Sequence, residues 1–511
     1  MDRLWAADRP DRQGGQAVAV HRLWHQRSDP AQGRRPDRRH HRGHQQGPRC
    51  AHRRVRGPGG HRRPVRAGPQ AHGGRPSAED RHRLSVAPAI TDPPRAPAGP
   101  ASETIDPADR WRILAVLATG LLFAMAPWFS GAAVAPSLRA EWGLSSAQLP
   151  LLTVAVQLGF ALGAILLAAS GAPDVLSARR VFLAGALLAA LANTAFGSLA
   201  PDLPSGLIFR FITGMALAAV YPVAMKIAVG WFRRERGLAI GVLIGALTVG
   251  SALPYLLSGL GALSGIEWRP LVGLASLSAV AGGLLVHRWT SDGPFDVPAP
   301  RFSPRVAVRA VREPAVRLAN LGYLGHMWEL YAMWTWIPLF LGASFAAAGA
   351  TDPAAAALSA FVVVAAGGIG CVAAGALADR WGRTATTIAA MAASGTSAIV
   401  AGLVFGASPV LVLAVCLVWG ITIVADSAQF SAALSELAPP GTAGSALSLQ
   451  VASGFTLTAV TILLVGTLDA SDATGWRLAF CVLALGPLVG IIAMWRLRGR
   501  PESSRLAGGR R

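Results

Sequence analysis

From Ile113 onward long apolar runs alternate with short polar breaks. Twelve runs can be counted: Ile113 to Ala135, Ala147 to Ala169, Val181 to Ala200, Ser205 to Trp231, Gly237 to Leu263, Pro270 to Val286, Leu318 to Ala348, Ala354 to Ala378, Thr384 to Ala407, Ser408 to Leu434, Gly444 to Leu468 and Trp476 to Trp495. Most can cross a hydrocarbon layer of ~30 Å at ~1.5 Å per helical residue, and the sixth is the shortest. Helices are predicted because backbone groups in lipid must be satisfied within the segment, and the ~10-residue alternating strands of a membrane barrel are missing. The pattern predicts an all-α polytopic membrane protein. It divides the chain into a tail without apolar period (1–107), six runs (108–290), a linker carrying Pro294, Pro298, Pro300 and Pro304 (291–315), six more runs (316–498) and a short polar end (499–511).

Composition agrees: 52% of residues are apolar and 14% charged, against roughly 25% charged in soluble domains. The net charge of +20 is unevenly spread, since the first 107 residues hold 21 Arg, 10 acidic residues and 9 of the 11 His. That stretch has no signal-peptide core and is expected to be disordered. A basic tail can bind nucleic acid or anionic lipid, but its Arg, His, Pro, Gly and Ala mixture is also what GC-rich DNA gives when an upstream or wrong-frame stretch is translated. The second reading carries more weight, so no nucleic-acid partner is assigned and the tail is read as foreign to the mature protein. Cys371, Cys416 and Cys481 sit in apolar runs, where a thiol is usually a small hydrophobe. No zinc spacing, H-E-x-x-H cluster or G-x-x-x-x-G-K-[ST] loop is found, so metal, hydrolytic and ATP-driven chemistry are not expected, nor any cofactor.

Loops after even-numbered runs hold thirteen arginines, those after odd-numbered runs three: Arg139, Arg269 and Arg477. By the positive-inside rule both termini are expected in the cytoplasm, across the inner membrane of a bacterium. The halves also repeat. Gly375-Ala-Leu-Ala-Asp379-Arg380-Trp-Gly382-Arg383 lies between runs eight and nine, and Gly171-Ala-Pro-Asp174-Val-Leu-Ser-Ala-Arg179-Arg180 lies between runs two and three. Glycine lets so short a loop turn, and an aspartate near a helix end can interact with the backbone dipole or neighbouring arginines. A tight solvated turn with topology-setting charge is the competing reading of each residue.

With these two loops the chain, over about Trp111 to Arg496, resembles the major facilitator superfamily, whose loop motif is G-x-L-A-D-R-x-G-R-R. The first copy departs from it, with Val175 for an arginine and Ser177 for a glycine. The resemblance implies two six-helix bundles related by pseudo-twofold symmetry, a midplane site between them and alternating access by rocking. It also implies a gating role for Gly375, Asp379, Arg380, Gly382, Arg383, Asp174, Arg179 and Arg180. The stretch Trp231-Phe-Arg-Arg-Glu-Arg236-Gly-Leu-Ala-Ile-Gly241 looks like the lead-in to the fifth helix of nitrate, nitrite and cyanate porters, although runs two and eight lack their arginines and runs five and eleven their glycine-asparagine signature. The antiporter glycine pattern of drug exporters is only partial, in Gly241, Gly250 and Pro254.

Ionisable groups inside spans cost ~2.5 to 3.5 kcal/mol on insertion scales and mark function by default. Lys226, the single lysine, is explained by snorkelling. Arg210, in Arg210-Phe-Ile-Thr-Gly214, resembles the R-x-x-x-G pattern of the family's fourth helix, with snorkelling as the alternative. Tyr221 shares that run. Run seven is dense, with Tyr323, His326, Trp328, Glu329, Tyr331, Trp334 and Trp336. Glu329 falls ~16 Å along it, near the midplane, and shares a face with His326 at i,i+3; that face is expected to line a cavity, with a buried structural pair as the alternative. Asp426, Gln429 and Gln450 are either coupling groups or interhelical glue. Burial disfavours the charged forms of Glu329 and His326 while mutual attraction favours them, so the pair can exchange protons near neutral pH.

The expectation is a monomeric secondary transporter in the lipid bilayer, coupled to protons, moving a small organic or inorganic anion. Proton-driven efflux of an amphiphile stacked on Trp328 or Trp334, or a transporter-like sensor, are the alternatives.

Overall fold

The computed structural model describes residues 107–296, 302–468 and 472–510. The expected arginine-rich tail, up to residue 106, lies outside the described residues. The first apolar run is divided into three helices: α1 (Arg110–Ala124), α2 (Ser130–Ala133) and α3 (Ala135–Trp142). Pro127 stands in the break; it lacks the N–H a continuing helix needs and its ring crowds the preceding turn. There follow α4 (Leu151–Ser170), the short α5 (Ala172–Val175), α6 (Ala178–Leu199), α7 (Leu203–Leu217), α8 (Tyr221–Trp231), α9 (Arg236–Ser264) and α10 (Trp268–Trp289). The linker is not all loop, since it contains the basic helix α11 (Pro304–Arg312). The second half comprises α12 (Pro314–Ala347), α13 (Pro353–Trp381), α14 (Arg383–Leu403), α15 (Pro409–Ile423), α16 (Ser427–Leu437), α17 (Ala443–Thr467) and α18 (Ala473–Arg498), and a 3₁₀ segment follows at Pro501–Gly509.

Counting α7 with α8 and α15 with α16, eleven helical spans among the described residues are long and apolar enough to cross a membrane. The expected twelfth is the divided first run. Leu166, Leu191, Leu277, Val410 and Leu488 are each half exposed or more, as a lipid-facing exterior requires.

In the first bundle α1 packs on α9 and α10, α4 on α7, and α6 on α7 and α10; in the second, α12 packs on α17 and α18, α13 on α15, and α14 on α15 and α18. Two seams join them, α9 with α13 and α4 with α17. The fourth span of each half is jointed alike: α7 and α15 have 15 residues each, α8 and α16 have 11 each, and three residues separate each pair. Pro222, near the start of α8, withholds its N–H from the turn before it. In the second half Asp426 and Ser427 stand at the joint, residue types whose side chains compete with helical hydrogen bonds.

The α9–α13 seam is lined by small residues. A Cβ on Gly241 would stand 2.9 Å from the Cys371 carbonyl oxygen, one on Gly245 3.1 Å from that of Gly368, and one on Gly375 3.2 Å from that of Gly237. Gly375 thus serves close helix packing and not a turn; the turning glycine of the loop is Gly382, at φ 88°.

Candidate transport site

Between the bundles, rings from both sides meet in one layer. Trp128 and Phe160 of the first bundle lie 5.6 and 4.3 Å from Phe455 of the second, and Trp128 stacks on Tyr331 at 5.8 Å. Phe129 reaches Tyr331 and Trp334, and the Tyr255 hydroxyl donates to the Trp334 carbonyl at 2.7 Å. A cavity of 290 Å³ opens toward the arginine-rich end, lined by Ala164 and Val451, each one turn from a ring of the layer, and by Asp174, Lys226 and Phe302. A second, of 360 Å³, lies toward the other end, with Tyr255, Trp268 and Pro338 in its wall.

Of the expected site residues, Tyr331 belongs to this layer and Trp328 does not. The Trp328 indole donates to the Val482 carbonyl of α18 at 2.9 Å, inside the second bundle. Arg210 is fully buried, yet its terminal nitrogens are spent on protein oxygens: Ser130 Oγ at 2.9 Å, Asn193 Oδ1 at 2.7 Å and the Trp128 carbonyl. Snorkelling is therefore excluded for it; the guanidinium closes the break after α1, whose carbonyls have lost their helical donors. Tyr221 begins α8 at the joint.

His326 and Glu329 share helix α12 but not a partnership. His326 Nδ1 is 2.8 Å from Asp426 Oδ1, without the alignment of a hydrogen bond, and its Nε2 is 2.7 Å from Ser427 Oγ. Glu329 accepts from the Trp419 indole at 2.7 Å and the Ser394 hydroxyl at 2.9 Å, on α15 and α14. Glu329 sits two residues from Tyr331, roughly 200° round the helix, so it faces into its own bundle and not into a cavity between bundles. Gln450 donates to Asn320 at 3.0 Å, not to Asp426.

The loops at the arginine-rich end are tied differently in the two halves. Arg383 is held by Glu436, with contacts down to 2.5 Å, and donates to Gln429 Oε1 at 2.9 Å, so Gln429 belongs to this cluster and not to the solute layer. Asp379 and Arg380 are exposed, and Asp379 abuts Gly237 across the seam: a Cβ there would be 3.3 Å from its carboxylate. In the first half Asp174 pairs with Lys226 at 2.6 Å, and Lys226 reaches Asp296 of the linker at 3.7 Å. Lys226 is thus an internal tie, not a snorkelling side chain. Arg179 donates to the Thr290 carbonyl at 3.2 Å, and Arg180 is exposed.

A sequence model described as Major Facilitator Superfamily matches residues 116–460. The chain belongs to the major facilitator superfamily. The superfamily consists of secondary transporters, not enzymes. Among solved structures, the xylose transporter XylE of E. coli, in a partially occluded inward-open conformation, is similar at 16% identity over 76% of this chain and 99% of its own, with TM-score 0.60. The human organic anion transporter MFSD10 is similar at 15% identity over 76% and 100%, with TM-score 0.60, and the nucleoside transporter NupG at 13% over 75% and 99%, with TM-score 0.58. No curated protein matches the chain in sequence. The nitrate, nitrite and cyanate branch suggested by the lead-in to α9 finds no support, since the matching model is that of the whole superfamily.

Several residues on which this superfamily member is built escaped the sequence reading. Glu436, Trp419, Ser394 and Asn193 hold the expected residues in place. Gln157, on α4, is fully buried with neither head atom partnered. A buried polar group left so costs ~1 to 3 kcal/mol. Its signal was available, as the one amide in the interior of the apolar run Ala147 to Ala169, whose other amide, Gln148, stands at the edge of the run.

Proposed function

We propose that this superfamily member is a proton-linked transporter whose solute lodges in the aromatic layer between the bundles and is neutral, with a flat apolar face. The observation that carries the reading is the layer itself, which joins both bundles and adjoins both cavities. An anionic solute would have to draw Arg210 away from Ser130, Asn193 and the Trp128 carbonyl, so the geometry supports the neutral amphiphile better. Proton exchange falls to the buried groups of the second bundle: His326 between Asp426 and Ser427 at the joint of α15 and α16, and Glu329 one turn on. Asp426 and Ser427 flank His326 at that joint, so a proton taken up there acts on a jointed helix. The arginine asymmetry orients the termini to the cytoplasm of a bacterial cell. One chain supplies both bundles, so a monomer suffices.

The test uses proteoliposomes with an imposed pH gradient and a panel of labelled neutral amphiphiles and small carboxylates. Uphill accumulation of an amphiphile is expected, lost in Glu329→Gln or Asp426→Asn while counterflow of pre-loaded solute persists. Accumulation undiminished in both variants would remove these carboxylates from the coupling.

A further inference from the structure

The layer holds polar groups that the protein itself leaves unused. The indole N–H groups of Trp128 and Trp334 are buried without an acceptor, and Tyr331 touches both rings, at 5.8 and 5.3 Å. Orphaned indoles are not peculiar to the layer, since those of Trp142 and Trp476 are likewise unpartnered elsewhere. Gln157 decides the matter. A Cβ at Gly159 or Gly163 would press on α7, so that face of α4 is committed to its own bundle. Gln157 stands two residues from Gly159, roughly 200° round the helix, on the side where α17 of the second bundle packs. It lies one turn from Phe160, whose ring is 4.8 Å from Trp128 and 4.3 Å from Phe455. An amide with oxygen and nitrogen both buried and both free is a donor and an acceptor kept apart for something else.

Resting on the reading that the layer is the solute site, we propose that Gln157 with the Trp128 and Trp334 N–H groups selects a planar, uncharged solute bearing a carboxamide or lactam edge. Such an edge offers an acceptor and a donor side by side, which matches the side-chain amide of Gln157, and a carbonyl acceptor suits either indole. A carboxylate would leave the Gln157 oxygen without a donor, and an amidinium would find no acceptor at the indoles. The ring of the solute takes the place that Tyr331 and Phe455 now occupy against Trp128.

Three isosteric probes separate the charge classes: benzamide, benzoate and benzamidine, titrated against the purified full chain by calorimetry. Benzamide is expected to bind at least tenfold more tightly than either ion. Trp128→Phe, which keeps an aromatic ring but loses the N–H together with part of the indole surface, should weaken it about three- to tenfold. Gln157→Glu should turn the preference over, favouring benzamidine, an inversion that a merely structural glutamine would not produce. Equal or tighter binding of benzoate, binding of none of the three, or an unchanged ranking in Gln157→Glu would overturn the assignment. These outcomes leave pH-driven accumulation in proteoliposomes untouched, so failure here and failure of the transport reading are told apart.

Discussion

At the end of the molecule away from the arginines, Glu141 accepts from Arg269 at 2.5 and 2.9 Å and from the Trp268 indole at 2.9 Å, tying α3 to the start of α10. The Arg269 bond first, and the Trp268 bond after it, hold this carboxyl below its ordinary value of 4.5. A carboxylate so lowered contributes stability above its unfolded value and loses that contribution as pH falls through the folded one. Glu141→Gln is therefore expected to be less stable than the parent at neutral pH, with the gap closing as pH is taken down from 4.5. Both side chains are more than a third exposed, so the gap should stay under ~1 kcal/mol. Thermal unfolding in detergent across that range checks it, and a gap independent of pH would contradict the ionic account. Single residues were unevenly legible. His326, Glu329 and Asp426 stand out in apolar runs because their charge is expensive there. Their partners do not, since Trp419 and Ser394 are ordinary span residues until the fold brings them to Glu329. Of the oxygens that hold Arg210, the Trp128 carbonyl is available only because the chain breaks after α1.

Among elements, the glycines of α9 and α13 set how close the bundles come. Gly241→Ala would push a Cβ against the Cys371 carbonyl, and backbone cannot step aside as a long side chain can. Overpacking of this kind costs ~1 to 3 kcal/mol, so a lower melting temperature and slower counterflow are expected. Gly273→Ala, in α10 with nothing within 4 Å of the new Cβ, should instead gain up to ~1 kcal/mol of helix propensity. Melting curves of the pair should move in opposite directions; a Gly241→Ala protein as stable and as fast as the parent would show that the seam has slack. Hydrophobic runs revealed the spans well because lipid leaves the backbone one solution. Joints were hidden. The break after α1 needed Pro127 to be read as a stop within an apolar run, and the α15–α16 joint has no proline at all.

For the whole molecule, the loop motif of the second half and its altered copy in the first sufficed to expect two bundles, because the pair recurs at the scale of six helices, whereas the arginine asymmetry alternates from loop to loop and bears on orientation. The assignment of residues to faces was out of reach, since which side of α12 meets the other bundle depends on Trp128 and Phe129, far away in sequence. The stretch before residue 107 has no apolar period to pack with. A protein beginning at Ser102 is therefore expected to insert and transport as the full chain does, at equal expression; a truncated chain that fails to fold would show that the arginine-rich stretch is needed after all. Interdigitated side chains make one helix pass another in jumps of a whole turn. Where α9 meets α13 through Gly237, Gly241 and Gly245, there are few teeth to engage, so the halves can roll past one another smoothly. Friction, and with it the temperature dependence of turnover, would then be set by the α4–α17 seam and the aromatic layer beside it.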